Sequence, residues 1–232
     1  PTTLTNALLI ASQLSRSTGS HYPLLTSASL LPTVSPLLLH PSPPVRAKAA
    51  NLIGNMCRHS SHFYPTLSHD PHALPSLVTC CSDPDPRVRK FACFALGNAA
   101  FHSRSLYVPL GTLGAPEALR RCLGDGDGKT RANAAGALGN LVRNGGELVG
   151  RVRETGAVGG LVGRVREEGE DAPRRIALFS LGTMAVYRGL RGVLVEEGAE
   201  RVAEEVMVRC TDKVSRKYVE RLRTKLQGGY VD

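Results

Sequence analysis

Three asparagines that stand directly after a glycine are the residues of this chain best suited to bind a peptide backbone. They are Asn55, Asn98 and Asn140, and intervals of 43 and 42 residues separate them. A side-chain amide donates and accepts hydrogen bonds at once, so it can match both the N–H and the C=O of an extended peptide. The same amide could instead bridge neighbouring helices inside the protein, and the sequence leaves both interpretations open.

These asparagines belong to a repeat that runs along most of the chain. Four glycines mark it, at intervals of 43, 42 and 43 residues: Gly54, Gly97, Gly139 and Gly182. An arginine stands eight residues before each glycine, and a fifth arginine follows one period later: Arg46, Arg89, Arg131, Arg174 and Arg216. Gly-Ala pairs that begin at 114, 156 and 198 have the same period. A helical repeat of this length is typical of armadillo and HEAT solenoids.

Each unit of the repeat has the pattern of three helices. Asp, Pro and Gly residues at 83–86 and 125–128 precede a long helix, where Asp caps free amides and Pro suits the first turn. Inside that helix, apolar residues such as Val88, Ala92 and Leu96 recur at helical spacing. The Gly-Ala pairs mark the turn into a further helix. We therefore predict an all-α, armadillo-type right-handed superhelical solenoid of about five three-helix repeats.

The period also predicts where the units begin and end. A partial N-terminal repeat covers 1–22, four repeats cover 23–64, 65–105, 106–146 and 147–189, and a capping repeat covers 190–232. A terminal cap needs a polar outer face. The last helix supplies it with a dense group of cations: Lys213, Arg216, Lys217, Arg221, Arg223 and Lys225. We expect this basic end to attract acidic partners, with tubulin tails as a candidate.

The rest of the positive charge is spread along the chain. The net charge is +9, with seven basic and three acidic residues in 1–100 and 22 and 17 in 101–232. Aromatic residues make up only 5% and Trp is absent, so the chain lacks the platforms on which nucleic acid bases stack. We expect protein partners, no nucleic acid and no membrane, since no apolar run approaches the about 20 residues of a membrane helix.

The chain shows no catalytic or metal-binding motif. It has no GxSxG and no HExxH, and the glycine-rich stretch 159–163 lies inside a helical repeat rather than after a strand. The six cysteines form no CxxC pair, and the histidines at 59, 62, 69, 72 and 102 fit no compact metal motif. We predict a non-catalytic cytoplasmic segment with reduced thiols, no cofactor and no metal. Because it begins with Pro1 and lacks a signal-peptide pattern, we expect it to be part of a longer polypeptide.

Two stretches of the repeat carry a family resemblance. The sequence SDPDPRVRKFACFALGNAAFHS at 82–103, together with RANAAGALGNL at 131–141, resembles the C-terminal armadillo region of Fused-type serine/threonine kinases. The likeness is clear over about residues 45–145, and the run from Val88 to Ala100 is its most specific part. The resemblance implies a multidomain kinase whose catalytic domain lies upstream of this segment. It also implies kinesin-like or other microtubule-associated partners in Hedgehog signalling, cilium assembly or plant cytokinesis, and a location in the cytoplasm or the ciliary cytoskeleton.

The armadillo pattern implies a groove and names its residues. In such proteins the third helix of each unit lines a concave groove, and an Asn on it bonds an extended peptide. The matching residues are Asn55, Asn98, Asn140, Thr183 in the fourth repeat and Ser12 in the first. Importin-like readers of basic signals carry a Trp four residues before each Asn, whereas this chain has Asn51, Phe94, Gly136 and Phe179 there. We therefore expect no nuclear-signal binding, and the two phenylalanines are either shallow apolar slots or core.

Other residues are candidates for the groove wall or for the stack. Those one turn beyond the repeat asparagines are Arg58, His59, Phe101, His102, Arg143, Asn144 and Tyr187. The repeat arginines are interpreted as structural, because each can reach helix-terminal carbonyls or a carboxylate of the adjacent unit; a phosphate-binding ladder is the alternative. The sequence thus predicts a protein-interaction scaffold. The alternatives are a structural component of a microtubule-based assembly such as the axoneme and, less favoured, a transport receptor.

Overall fold

The computed structural model describes residues 2–228, and within that range it contains helices and turns but no β-strand. The helices are α1 Thr2–Ser17, α2 Tyr22–Ser27, α3 Leu30–Val34, α4 Pro43–Met56, α5 Tyr64–His69, α6 Ala73–Cys80, α7 Pro86–Ala99, α8 Tyr107–Thr112, α9 Ala115–Cys122, α10 Gly128–Asn140, α11 Val149–Glu154, α12 Ala157–Glu167, α13 Asp171–Met184, α14 Arg188–Glu196, α15 Ala199–Arg209 and α16 Lys213–Gln227. Two short 3-10 segments, Gly19–His21 and Ser35–Leu39, flank α2 and α3.

The helices follow one another in triplets of a short first helix, a second helix and a long third helix. The triplets run from α2–α3–α4 to α14–α15–α16, and α1 is an additional helix of the third type. The third helices pack on one another in chain order, α1 on α4, then α7, α10, α13 and α16. The core runs continuously between the layers, and the all-α prediction is confirmed. The unit boundaries stay a prediction.

Acidic caps begin several of the long third helices. The carboxylate of Asp85 accepts from the backbone N–H of Arg87 at 2.8 Å at the start of α7. Asp127 and Asp212 accept from Thr130 and Ser215, both at 2.8 Å, at the starts of α10 and α16. A side-chain acceptor at this place satisfies one of the free amides at a helix N-terminus. These caps set where the third helices start and so align them for stacking.

A left-handed turn precedes three of the second helices. Gly114, Gly156 and Gly198 have φ of +77°, +67° and +71° directly before α9, α12 and α15. Glycine takes this conformation without the steric cost that a Cβ imposes. The Gly-Ala pairs therefore lie at the turn that the sequence predicts. Ser29 stands at the same place before α3 and adopts φ of +51°, as a non-glycine residue in this sterically disfavoured region.

The repeat glycines let neighbouring third helices approach closely. A Cβ added to Gly54 would lie 2.5 Å from the Phe94 ring, and one added to Gly139 would lie 2.5 Å from Oγ of Ser180. At Gly97 the equivalent distance, to Cβ of Ala137, is 3.3 Å. Protein interiors have no spare room for an extra methyl group at such sites. The glycine of the repeat is therefore a packing residue of the stack.

We expect Gly54→Ala to lower the free energy of unfolding by about 1–2 kcal/mol, because a clash with the Phe94 ring outweighs the better helix propensity of alanine. Gly182→Ala is the matched control, since its nearest neighbour is a flexible arginine side chain at 4.0 Å. We expect it to be neutral or to stabilise by up to about 1 kcal/mol. Urea unfolding followed by circular dichroism measures both. Equal effects of the two substitutions would contradict the close-packing role of Gly54.

Within residues 2–228, only one bent pair of short helical segments has the length and composition of a membrane span. No single helix within residues 2–228 is long and apolar enough to cross a membrane. The bent pair consists of Gly19–Ser27 and Leu30–Leu39, with a bend of 75° between them, and it could span a membrane by length and composition only. In this fold Leu31 and Leu38 of the pair are buried in the core, against α4.

Candidate peptide-binding groove

The repeat arginines clamp each unit to the next. Arg46 donates from Nε and Nη2 to the two carboxylate oxygens of Asp83, at 2.7 and 2.9 Å. Its Nη1 also donates to the carbonyls of His40 and Pro41, at 2.9 and 3.0 Å. Arginine suits this task because its planar fork presents several donors in fixed directions. One side chain thus holds the turn before its own third helix and the turn before the next.

The same clamp recurs in the next two repeats. Arg89 donates to both carboxylate oxygens of Asp125, at 2.5 and 3.2 Å. Arg131 donates in the same way to Glu168, at 2.7 and 2.8 Å. The Asp125 and Glu168 side chains are only 5% and 3% exposed. Buried carboxylates need such partners, because an unpaired charge in the interior is costly.

In the fourth repeat two adjacent arginines divide the two tasks of the clamp. Arg174 donates to the carbonyl of Glu168, which belongs to the turn before its own helix. Arg175 donates to both carboxylate oxygens of Asp212, at 2.7 and 2.8 Å. These bonds agree with the structural interpretation of the repeat arginines. They also leave the guanidinium groups engaged within the protein.

The clamp shifts the acidity of the carboxylate that it holds. The hydrogen bond from Arg131 lowers the pKa of Glu168 below its usual range, and burial opposes this without reversing it. The same bond raises the pKa of Arg131. Both directions describe a pair that is ionised in the folded protein at neutral pH.

Tyrosines of the first helices fasten the C-terminal ends of the third helices. The hydroxyl of Tyr22 donates to the carbonyl of Asn55 at 2.7 Å and accepts from the N–H of His59 at 3.2 Å. The hydroxyls of Tyr64 and Tyr107 donate in the same way to the carbonyls of Asn98 and Asn140. Each tyrosine therefore joins the first and third helices of one unit and fixes the backbone of a groove asparagine.

The side-chain amides of two groove asparagines join adjacent third helices. Nδ2 of Asn98 donates to the carbonyl of Gly54 at 2.8 Å, and Nδ2 of Asn140 donates to the carbonyl of Gly97 at 3.0 Å. An amide has a second N–H and an acceptor oxygen. Since neither of these groups has a hydrogen-bond partner among residues 2–228, one amide can serve the stack and still meet a ligand.

The outer predicted groove residues, Asn55 and Thr183, are less open to a ligand than the central ones. Asn55 is 3% exposed, and its Nδ2 donates to Oγ of Ser12 at 2.8 Å. Oγ1 of Thr183 donates to the carbonyl of Phe179 at 3.1 Å within their own helix. Asn98 and Asn140 are half-buried. The two central asparagines therefore offer the most accessible amides.

Three depressions follow one another along the third helices, and the first two share lining residues. The first has a volume of about 410 Å³ and is lined by Asn55, Arg58 and Phe94 among others. The second, of about 170 Å³, shares Phe94 and is lined by Asn98 and Asn140. The third, of about 350 Å³, is lined by residues of α13 and α16 and of the turns that follow α10 and α13, including Arg143, Thr183 and Arg221. We refer to the three together as the groove.

Two predicted wall residues and one of the phenylalanines are not among the residues that line the three depressions. Nε2 of His102 is 2.9 Å from the carbonyl of Arg58, so this ring bridges two units. Tyr187 is half-buried at the start of α14, and burial raises its pKa. Phe179 packs edge to face against Tyr218 with ring centroids 5.5 Å apart.

The cations of the basic end differ in their contacts and exposure. Arg216 donates to the carbonyl of Met207 at 3.0 Å, so it belongs to the capping unit. Arg221 stacks over the Phe179 ring at 4.8 Å and lines the third depression. Lys213, Lys217 and Arg223 are exposed, and Lys225 is half-buried.

Several residues that line the groove are not among those predicted from the sequence. Lys90, Lys129 and Asn133 line the first depression together with Phe91 and Arg16. Phe91 and Asn133 each stand seven residues before a repeat asparagine. Seven residues are two helical turns, so these side chains lie on the same helix face as the asparagine. Extending the face toward the helix N-terminus would have found them.

Three buried cysteines lie together behind the groove. The Sγ atoms of Cys81, Cys93 and Cys122 all lie within 4.8 Å of one another. Sγ of Cys122 donates to the carbonyl of Cys81 at 3.3 Å. The group lacks a fourth metal ligand among the described residues, and a structural zinc site needs four. At another buried position, desolvation raises the pKa of Cys57 to about 12, which makes that thiol a poor nucleophile.

This geometry defines an armadillo-type repeat fold, and several solved structures superpose closely on it. An engineered protein superposes with a TM-score of 0.90 at 20% identity, covering 98% of this chain and 92% of that one. A designed armadillo repeat protein gives 0.86 at 23% identity, covering 96% and 92%. A second one, in complex with the peptide (KR)4, gives 0.87 at 22% identity, covering 95% and 92%. The predicted armadillo-type solenoid is therefore confirmed.

In sequence, the chain is similar to a family of helical repeats and to a protein kinase. Residues 31–139 match the family model of HEAT repeats. The serine/threonine-protein kinase TIO of Arabidopsis thaliana is 38% identical over 197 residues, which cover 76% of this chain and 14% of that kinase. The chain thus spans about one seventh of the length of this relative.

Glu168→Gln tests the clamp. We expect it to lower the free energy of unfolding at pH 7 by about 1–3 kcal/mol, because the amide cannot accept the bidentate ionic bond. The pKa of Glu168 is depressed in the folded state, so the contribution of its charge is full above the unfolded value of about 4.3. It is lost as pH falls through the folded pKa. The difference between wild type and variant should therefore shrink toward acid.

Glu170→Gln is the matched control for this test. Glu170 bonds the same Arg131 at 3.2 Å, but its side chain is 64% exposed. We expect a change of at most about 0.5 kcal/mol, because water screens exposed ion pairs. Urea unfolding at pH 7, 5 and 4 measures both variants. A constant difference across this range for Glu168→Gln would contradict the ionic clamp.

Proposed function

We propose that this segment is a non-catalytic protein-binding scaffold whose groove holds an extended segment of a partner. The observation that carries this proposal is the middle depression of the groove, where Asn98 and Asn140 each keep an N–H and an acceptor oxygen available. These groups suit a peptide main chain, which offers one donor and one acceptor per residue. The complex of a designed armadillo repeat protein with a peptide supports this use of the fold.

We further propose that the segment is the C-terminal regulatory part of a Fused-like kinase. The supporting observations are the motif at 82–103 and the 38% identity to the kinase TIO. On this proposal a kinase domain lies elsewhere in the full protein. The partner is a kinesin-like or other microtubule-associated protein in cilium assembly or Hedgehog-type signalling, and the location is the cytoplasm or ciliary cytoskeleton.

A structural part in a microtubule-based assembly is the second candidate. The exposed cations Lys213, Lys217 and Arg223 at the last helix favour it, because acidic tubulin tails would be attracted there. A transport receptor has less support. The residues four positions before the groove asparagines include Phe94 and Phe179 but no tryptophan.

The double variant Asn98→Ala/Asn140→Ala tests the groove. A library of random dodecapeptides displayed on phage should yield ligands of the wild-type protein, and the double variant should bind the selected peptide at least about tenfold more weakly. The reason is the loss of two sets of main-chain hydrogen bonds, each worth about 1 kcal/mol. Fluorescence anisotropy measures the affinity.

Ser35→Ala is the control, because it removes an inter-unit hydrogen bond of similar length, to Asp70 at 2.9 Å, away from the residues that line the three depressions. It should destabilise the stack comparably, as thermal unfolding will show, and leave peptide affinity within about twofold. Unchanged peptide affinity in the asparagine double variant, or equal loss in the control, would overturn the groove as the binding site.

Co-sedimentation with taxol-stabilised microtubules tests the second candidate. If the basic end binds tubulin tails, Lys217→Glu/Arg223→Glu should reduce the pelleted fraction at least about threefold, because rim charges steer and hold an acidic partner. Subtilisin-treated microtubules, which lack the tails, should pellet the wild type equally poorly. Arg121→Glu/Arg153→Glu makes the same change in net charge on α9 and α11 and serves as the control. If the wild type stays in the supernatant, direct tubulin contact through this end is wrong.

A further inference from the structure

Acidic residues are absent from the helices that form most of the groove. The chain has 20 Asp and Glu residues, and not one of them lies in α1, α4, α7 or α10. Within residues 2–228 they lie in the first and second helices and in turns, apart from Asp171 in α13 and Glu220 in α16. Acidic side chains are therefore kept away from the four third helices α1, α4, α7 and α10.

Six cations line the three depressions. They are Arg16, Arg58, Lys90 and Lys129 in the first and Arg143 and Arg221 in the third. No carboxylate lines any of the three. Within residues 2–228 none of the six forms an ion pair, whereas the arginines of the clamps between units, 46, 89, 131, 174 and 175, all do. The groove therefore carries positive charge that the protein itself does not neutralise.

Aromatic rings hold three of these cations beside the groove. Nζ of Lys90 is 4.7 Å from the centre of the Phe91 ring. Arg143 lies over Phe101 at 4.4 Å, and Arg221 lies over Phe179 at 4.8 Å. A ring face attracts a cation without cancelling its charge. The side chains are thus positioned while their charges stay available to a ligand.

We propose that the groove selects an acidic segment, an extended peptide rich in Asp and Glu. This rests on the proposed function of the groove and names the chemistry of its ligand. Asn98 and Asn140, in the middle depression, meet the peptide main chain, and the cations of the two outer depressions pair with carboxylates on either side. The amide ladder and the scarcity of aromatic residues favour a peptide over a single-stranded nucleic acid.

The test uses three labelled peptides of equal length, built from four Glu-Asp, four Gln-Ser or four Lys-Arg dipeptides. At about 50 mM salt, the acidic peptide should bind the wild type at least about tenfold more tightly than the neutral one, because opposite charges are weakly screened there. Its affinity should fall steadily as salt is raised, and the basic peptide should bind worst.

Lys90→Glu/Lys129→Glu should weaken the acidic peptide at least about tenfold and change the neutral peptide by less than about twofold. Arg121→Glu/Arg153→Glu, with the same change in net charge on α9 and α11, should leave both affinities within about twofold. Lys90→Gln/Lys129→Gln gives an intermediate loss and guards against a folding defect, which circular dichroism and thermal unfolding also report.

The failures of the two proposals are distinguishable. If the neutral or basic peptide binds as tightly as the acidic one and loses affinity in Asn98→Ala/Asn140→Ala, the groove binds peptides and acidic selection is wrong. If no peptide depends on either groove variant, the groove is not the binding site and the proposed function falls with the inference. An oligothymidylate of eight nucleotides that binds more tightly than the acidic peptide would also overturn the inference.

Discussion

The fork of one arginine side chain per repeat is the interaction on which the rest of this solenoid depends. A stack of short helices has no long-range contacts to hold it, because each unit touches only its neighbours. The guanidinium of Arg46 solves this locally, since it bonds the turn that starts its own third helix and the carboxylate that starts the next. Repeating the clamp along the chain aligns the third helices, and their aligned faces are the groove.

The stack and the groove are built from the same side chains. Asn98 and Asn140 bond the preceding helix, and the tyrosines of the first helices fix the backbone of the same residues. Groups that hold the stack are thereby fixed in place before a ligand arrives, which reduces the ordering cost of binding. The two interpretations of the asparagines, bridging helices and contacting a peptide, are compatible in this structure.

The period made most of the fold predictable. Gly54 and Arg46 recur with their equivalents at 42–43 residues, and a recurring position has the same structural role in most of the units. What could not be predicted depends on which distant residues meet. The acid that accepts the arginine bonds is Asp in three repeats and Glu168 in the other, so it gives no fixed motif. The tyrosines at 22, 64 and 107 share the period, and that signal was available. The separation of charge was hidden, because sequence order mixes the two sides of the solenoid.

The glycine contacts fix the distance between neighbouring third helices of the groove. The Phe94 ring lies directly against the backbone of Gly54, and the Ser180 side chain lies directly against the backbone of Gly139. These contacts set the distance between neighbouring third helices. The spacing of the third helices is therefore fixed by direct contact at these positions. At Gly182 the nearest neighbour is the Arg221 side chain at 4.0 Å, so the last interval is the least tightly packed of the four. On the proposal that the groove holds an acidic segment, a mismatch in spacing would be easiest to absorb at that end.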